Sequence, residues 1–238
     1  MIDEVPQQFT EAEWRKLVAH TGLRASLRWQ WSTSASRYRD TTTGRFVAAA
    51  TIQNLRDTFI VARMERTDQL AAQLASGQRT IQEWVLAMRD EVRLTYSSEY
   101  VFGRGGINAM TPSDWGRLGQ AIRNQYGYLQ TFAADIAAGQ LSEGQIRARA
   151  HHYVGSAVQA FERGKGIARG WPDLPAYPGD GQTTCFGNCR CFWNLVRTED
   201  GRGWDCTWVT SEDERECEDC VANGKRWAPL FVGVEVSA

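Results

Sequence analysis

The sequence predicts a mainly α fold of long helical hairpins, followed by a small C-terminal α+β module. Apolar residues recur at three- and four-residue spacing through most of residues 46–170, which is the pattern of amphipathic helices. All six cysteines fall in the last 54 residues, beside two short alternating segments typical of strands. We therefore divide the chain into an N-terminal helix and extended arm (1–45), a helical domain (46–170) and a Cys-rich module (171–238).

The composition is that of an ordinary globular protein with an uneven charge distribution. The chain has 238 residues, of which 42% are hydrophobic, and its net charge is -1, so it lacks an overall attraction for nucleic acid. Residues 1–180 hold 21 basic and 18 acidic residues, whereas residues 181–238 hold 6 and 10. No stretch approaches the roughly 20 apolar residues of a membrane helix. We expect a soluble protein, without a secretory signal, made in a reducing cytoplasm.

The arm is predicted to contain one helix and then a loop. Thr10 and Glu13 have the spacing of a capping box, and Gly22 ends the helix that they begin. Residues 32–43 are rich in Ser, Thr and Arg and are interpreted as a loop. Trp29 and Trp31 lie near this polar segment, where exposed aromatic side chains would suit a protein interface.

Four long helices are predicted in the helical domain. Their bounds follow from periodicity, caps and glycine stops: 46–77, 80 to the Gly-rich break at 102–106, 112–139 and 142–164. Thr80 and Glu83 form a capping box at the start of the second helix.

The Cys-rich module is predicted to contain a hairpin and a short acidic helix or turn. Residues 190–196 and 204–210 alternate between apolar and polar residues, and the turn at 199–203 contains two glycines. An acidic helix or turn is expected at residues 211–222.

The cysteines have the spacing of a metal site. Cys185, Cys189 and Cys191 form a C-x3-C-x-C group, and Cys217 and Cys220 form a C-x2-C pair beyond the hairpin. Two such groups, brought together by hairpin closure, suit a tetrahedral Zn²⁺ site of zinc-ribbon type. The predicted ligands are Cys217, Cys220 and two of the first three, with Cys185 and Cys189 preferred. Four protein ligands would make this zinc structural, while buried or oxidised thiols are the alternative.

Cys206 and the histidines are expected to have other roles. Cys206 lies between two tryptophans on one strand face and is interpreted as a core residue. His151 and His152 are adjacent, so they point about 100° apart on a helix and cannot grip one metal from the same face. Pairing of a cysteine with His20, His151 or His152 would define a hydrolase, but no spacing supports it. We expect no catalytic residues and no enzyme activity.

Basic residues on the third and fourth helices could line a face that contacts DNA phosphates or an acidic partner. A solvated helix surface is the favoured interpretation of this set. Its members are Arg117, Arg123, Arg147, Arg149, Arg163, Lys165 and Arg169.

The segment 183–193, Thr-Thr-Cys-Phe-Gly-Asn-Cys-Arg-Cys-Phe-Trp, resembles the N-C-R-C signature of tailed-phage minor head, or head-morphogenesis, proteins (Mu F-like). Its lead-in at 174–181 and the later stretch 208–220 are similar to parts of that family as well. Upstream, residues 38–47, 126–129 and 149–153 resemble its helical portions. The resemblance covers the last half of the chain well and the first half loosely. Many relatives carry the C-x2-C pair before N-C-R-C, whereas here Cys217 and Cys220 follow it.

The resemblance implies a structural virion protein present in several copies at the portal or inner capsid face. Such a protein acts in head assembly, DNA packaging or delivery, and contacts portal, capsid or connector proteins and the packaged DNA. It would be found in the virion, and in the host cytoplasm during assembly. The alternative is a cytoplasmic zinc-ribbon protein that binds nucleic acid or protein, for which a basic module rather than an acidic one is expected.

Overall fold

The computed structural model describes residue 12, residues 25–178, residue 180, residues 183–184, residues 191–210 and residues 216–233. The helices are α1 (Ala25–Arg28), α2 (Ala49–Ala75), α3 (Ile81–Gly103), α4 (Pro112–Ala137), α5 (Glu143–Gly155), α6 (Val158–Ala168) and α7 (Glu218–Arg226). The strands are β1 (Trp29–Ser32), β2 (Arg37–Asp40), β3 (Phe192–Arg197), β4 (Gly203–Val209) and β5 (Leu230–Gly233). The prediction of a mainly helical chain is confirmed.

Helix starts in the body, residues 49–168, follow the local sequence closely. Thr80 and Glu83 form the predicted capping box, and Thr111–Asp114 and Ser142–Gln145 form two more. Each box satisfies backbone N–H groups that the first turn leaves without a partner, and such a cap contributes about 1 kcal/mol. The predicted helix at Thr10–Gly22 lies outside the described residues.

The body has its core between α2, α3, α4 and α5. Large side chains at its centre are fully buried: Leu70, Trp84, Met88, Leu118, Leu129 and Phe132. The Trp84 and Phe132 rings meet edge to face, with centroids 5.3 Å apart, and Phe132 stacks on Tyr153.

No helix in the described part of the chain has the length and apolar character needed to cross a membrane.

Two glycines let α3 and α6 approach closely. A Cβ atom on Gly103 would lie 2.2 Å from the carbonyl oxygen of Phe161, and one on Gly164 would lie 2.6 Å from that of Tyr100. Both distances are far below contact, so any side chain at either position would push the helices apart.

The interpretation of residues 32–43 as a loop holds for the turns at 33–36 and 41–43, but it was wrong for Ser32 and Arg37–Asp40, which lie in strands. Strands β1 and β2 form an antiparallel hairpin here, in which Trp31 pairs with Tyr38. Tyr38 is buried against Phe102 of α3, and its hydroxyl donates to the Phe102 carbonyl oxygen. Trp29 and Trp31 are half-buried on the same side rather than exposed. Contacts with α3 therefore decide a structure that local composition does not signal.

The predicted fourth helix, 142–164, is two helices. It is interrupted at Ser156 and Ala157, after Gly155, a weak helix former. The hydroxyl groups of Ser156 and Tyr96 lie 2.8 Å apart, and this hydrogen bond ties the break between the two helices to α3.

A buried ion pair also joins α2 to α3. The Arg56 Nε donates to Oε2 of Glu99 at 2.9 Å, and both side chains are almost fully buried. The guanidinium carbon lies 3.4 Å from the centroid of the Phe161 ring in α6. Burial raises the pKa of Glu99, and Arg56 opposes that rise.

Candidate metal centre

The C-terminal module is built on a three-stranded antiparallel sheet of order β3-β4-β5. Trp193 lies opposite Trp208 and Leu195 opposite Cys206 in the register, as the alternation in β3 and β4 predicts. Strand β5 was not predicted, because four residues ending in glycine give too short a pattern. It pairs with β4, placing Leu230 opposite Cys206.

Three tryptophans fill the inner face of this sheet. The Trp193 ring lies edge-on to Trp208, with centroids 5.3 Å apart, and Trp227 packs against both. Trp193 also donates its indole N–H to the Ala176 carbonyl oxygen at 2.9 Å, tying the Pro-rich segment to the sheet. Around these rings lie Cys191, Cys206 and Cys220, so cysteines make up a large share of a small core.

Cys206 is a core residue, as predicted. Its side chain is fully buried and its thiol is free. Burial, with a smaller contribution from the Asp205 carboxylate, raises the pKa of this thiol to about 11. This raised pKa favours the protonated thiol at neutral pH, which makes Cys206 a poor nucleophile.

Cys217 and Cys220 lie at the start of α7. Cys217 is the residue that precedes the first turn, and Cys220 is buried within that turn. The N-terminus of a helix favours negative charge, so it stabilises thiolates. This end of the predicted acidic segment is helical, although the helix runs from Glu218 to Arg226 rather than through 211–222; residues 211–215 lie outside the described part.

A hydrogen-bonded contact connects this turn to the first cysteine group. The backbone N–H of Thr184 donates to Oδ2 of Asp219 at 2.7 Å, and the Thr184 hydroxyl donates to the same oxygen. These bonds lower the pKa of Asp219. Asp219 lies between Cys217 and Cys220, and Thr184 directly precedes Cys185 in the chain. The sequence gives no signal for this contact, because 35 residues separate its partners.

The five predicted ligands divide into two sets. Cys191, Cys217 and Cys220 belong to the described residues, whereas Cys185 and Cys189 lie outside them. Among the described residues, no three His, Cys, Asp or Glu side chains are grouped so that they could hold a metal ion. Cys191, a buried free thiol, therefore does not complete a three-ligand group with Cys217 and Cys220.

The basic residues predicted on the third and fourth helices are largely compensated. Arg117 pairs with Asp114, Arg147 with Glu143, Arg149 with Asp135 and Lys165 with Glu162. Arg163 lies over the Tyr177 ring, and Arg169 lies over Trp31 and Trp171. The interpretation of this set as a helix surface rather than a DNA-binding face stays a prediction.

His151 contacts a carboxylate of a neighbouring helix. The Nε2 of His151 lies 2.8 Å from Oδ1 of Asp68 on α2, which makes this contact a tie between α5 and α2. Burial, and then the neighbouring His151, lower the pKa of His152.

Comparison with known proteins adds no family to this picture. The chain matches no family model, no curated protein and no solved structure.

Proposed function

We propose that this chain is a non-catalytic structural protein of a larger assembly, a minor head protein of a tailed phage. Its helical body would be the rigid part, and its C-terminal module would contact portal, capsid or connector proteins. One structural Zn²⁺ would hold that module together. The resemblance of residues 183–193 to the N-C-R-C signature suggests the family, and features of the module support the role.

The observation that carries the zinc part of the proposal is the contact between Thr184 and Asp219. It ties the chain neighbour of Cys185 to the helical turn that bears Cys217 and Cys220. A site built on that turn would take its other two ligands from Cys185 and Cys189. Four thiolates complete a tetrahedral site and leave no position for a reacting water, so the metal would act in folding alone.

An exposed apolar sheet face supports a role in protein contacts. Phe192, Val196 and Phe231 point away from the tryptophan core, and Phe231 is 57% exposed. Val196 and Phe231 both lie opposite Asp205 of the central strand, one from each side. Exposed apolar patches of this kind are typical of protein interaction sites.

Elemental analysis of purified protein tests the zinc site. We expect about one zinc per chain in the wild type and none in Cys217→Ser. Cys206→Ala is the matched control, because it removes a module cysteine that the proposal leaves out, and it should keep the metal. A metal-free wild type, or loss of metal only in Cys206→Ala, would refute this ligand set.

Mass spectrometry of phage particles purified from the strain that encodes the chain tests the assembly role. We expect its peptides in the particle at a few copies for each portal ring. Triple substitution of the outer sheet face, Phe192→Ser with Val196→Ser and Phe231→Ser, should remove the chain from particles while leaving its zinc content unchanged. Absence of the wild-type chain from intact particles would contradict the proposal.

A further inference from the structure

The β1–β2 hairpin has one face in the protein core and one face in solvent. Tyr38 points inward to Phe102, so its neighbours Arg37 and Arg39 point outward and are exposed. The chain then turns, and Phe46 forms a β-bridge with Arg39 that extends this outer surface. We name the outward side chains Arg37, Arg39 and Phe46, together with Arg45, which is exposed and precedes Phe46 in the chain, the basic hairpin face.

The arginines of this face form no ion pairs with other described residues. Within the part of the chain that the structure describes, neither Arg37 nor Arg39 nor Arg45 has a carboxylate at ion-pair distance, whereas Arg28, at the end of α1, pairs with Asp40 at 2.7 Å. Asp40 also accepts from the Trp29 indole at 3.2 Å and from the backbone of Thr42 at 2.8 Å. Asp40, the acidic residue nearest to these arginines in sequence, therefore already has its own hydrogen-bond partners.

The face is partly organised before any ligand arrives. The Arg39 Nε donates to the Gly44 carbonyl oxygen at 2.8 Å, which holds that guanidinium in place. The guanidinium carbons of Arg37 and Arg39 lie 5.0 and 5.9 Å from the centroid of the Phe46 ring. Phe46 is nevertheless 46% exposed. Side chains that are already ordered lose less entropy when they bind.

We propose that the basic hairpin face binds the phosphodiester backbone of a nucleic acid. Arg37 and Arg39 are two residues apart on one strand, so their backbones are about 6.6 Å apart, a spacing comparable to that of neighbouring phosphates in an extended single strand. Arg45 supplies a third charge. The aromatic ring and the guanidinium planes give bases a surface on which to stack, which an acidic peptide would not use. This proposal does not depend on a role in a phage head.

Fluorescence anisotropy with a labelled 20-nucleotide oligothymidine and a duplex of equal length tests the proposal on the full chain. Three phosphate contacts predict a slope of about -2 for log affinity against log salt on the single strand. Affinity should therefore fall roughly 15- to 20-fold between 50 and 200 mM salt. Replacing Arg37, Arg39 and Arg45 together with Gln should weaken binding at least tenfold and flatten this slope.

A second triple variant controls for the change in net charge. Arg197 and Arg226 are exposed and Arg79 is half-buried, all outside the basic hairpin face, so replacing the three with Gln should leave binding within about twofold of the wild type. Phe46→Ala should weaken single-strand binding several-fold and change duplex binding much less, because only unpaired bases can stack on the ring. Thermal melts monitored by circular dichroism verify that each variant is folded.

Three results would overturn the proposal. The first is a wild-type chain that binds neither oligonucleotide at 50 mM salt. The second is an equal loss of affinity in both triple variants, which would indicate a non-specific charge effect. The third is a polyglutamate peptide that competes as well as an unlabelled oligonucleotide of equal charge, which would assign the face to an acidic protein partner. None of these results bears on zinc content, so the two proposals can fail separately.

Discussion

The helical body and the C-terminal module have different kinds of hydrophobic core. The body buries Trp84, Phe132 and many aliphatic side chains between four helices, and three of its helices, α3, α4 and α5, begin with capping boxes. The module gathers three tryptophans and several cysteines under a three-stranded sheet. A core of the first kind is large enough to stabilise a fold. Modules of fewer than about 70 residues usually need additional stabilisation, such as disulfides or a structural metal ion.

The difference shows where each region should be vulnerable. Stability of the body depends on exact contacts between helices: the buried Arg56–Glu99 pair and the close approach at Gly103 and Gly164. Stability of the module is expected to depend on a metal that closes its two cysteine groups. Substitutions in the body should therefore lower its stability to the same extent with and without metal. Metal removal should destabilise the module alone.

The largest effect is expected at the buried ion pair. Glu99→Ala would leave the Arg56 guanidinium buried without its partner, which costs about 3–5 kcal/mol of unfolding free energy. Urea denaturation followed by far-ultraviolet circular dichroism measures this loss. The double variant Arg56→Met/Glu99→Leu should be far closer to the wild type, because it removes both desolvation costs. A loss below about 1 kcal/mol in Glu99→Ala would show that the pair is not buried as described.

A smaller effect is expected where α3 meets α6. Gly103→Ala places a methyl group against the Phe161 carbonyl oxygen, and the helix separation that follows should cost about 1–3 kcal/mol. Gly127→Ala is the matched control: Gly127 lies in α4, and a Cβ there meets nothing within 4 Å. It should stabilise the chain by roughly 0.5–1 kcal/mol, because alanine favours a helix. Equal effects in the two variants would argue against a close crossing.

The capping box of α4 should make the body sensitive to acid. Burial alone would raise the pKa of Asp114, but hydrogen bonds from the Thr111 hydroxyl and backbone N–H, with Arg104, lower it. Because the folded pKa lies below the unfolded one, the stability that Asp114 adds is present above about pH 4. It is lost as the pH falls through the folded pKa.

Comparison of Asp114→Asn with the wild type measures this contribution. We expect the variant to lose about 1–2 kcal/mol at pH 7, where the carboxylate is charged. The gap between the two proteins should narrow as the pH falls below about 4, and urea titrations at several pH values would show it. A gap that stays constant with pH would mean that Asp114 acts through its shape rather than its charge.

Sequence reasoning predicted what depends on near neighbours and missed what depends on distant ones. Spacing alone predicts the capping box at Thr80 and the helical body. It also predicts that Trp193 of β3 and Cys206 of β4 face the core. The hairpin at 29–40 was missed because its strands form against Phe102, more than 60 residues away. The bend at Ser156 was missed for a similar reason, since Tyr96 fixes it.

The candidate metal site, like the fold, could be predicted only in part from the sequence. Spacing separated Cys206, a core thiol, from the cysteines that it assigned to a metal. It could not show that Asp219 ties Thr184 to the C-x2-C turn, because that contact joins two segments without a common pattern. The metal ligands themselves stay a prediction, with Cys185 and Cys189 outside the described residues.

Hydrogen exchange measured by mass spectrometry, with and without a zinc chelator, tests most directly whether the two regions are held by different means. We predict that chelation speeds exchange in peptides from residues 191–233 and leaves those from α2 to α6, residues 49–168, unchanged. Exchange that is unaffected throughout would contradict a metal staple. Faster exchange in the body and the module together would contradict their independence.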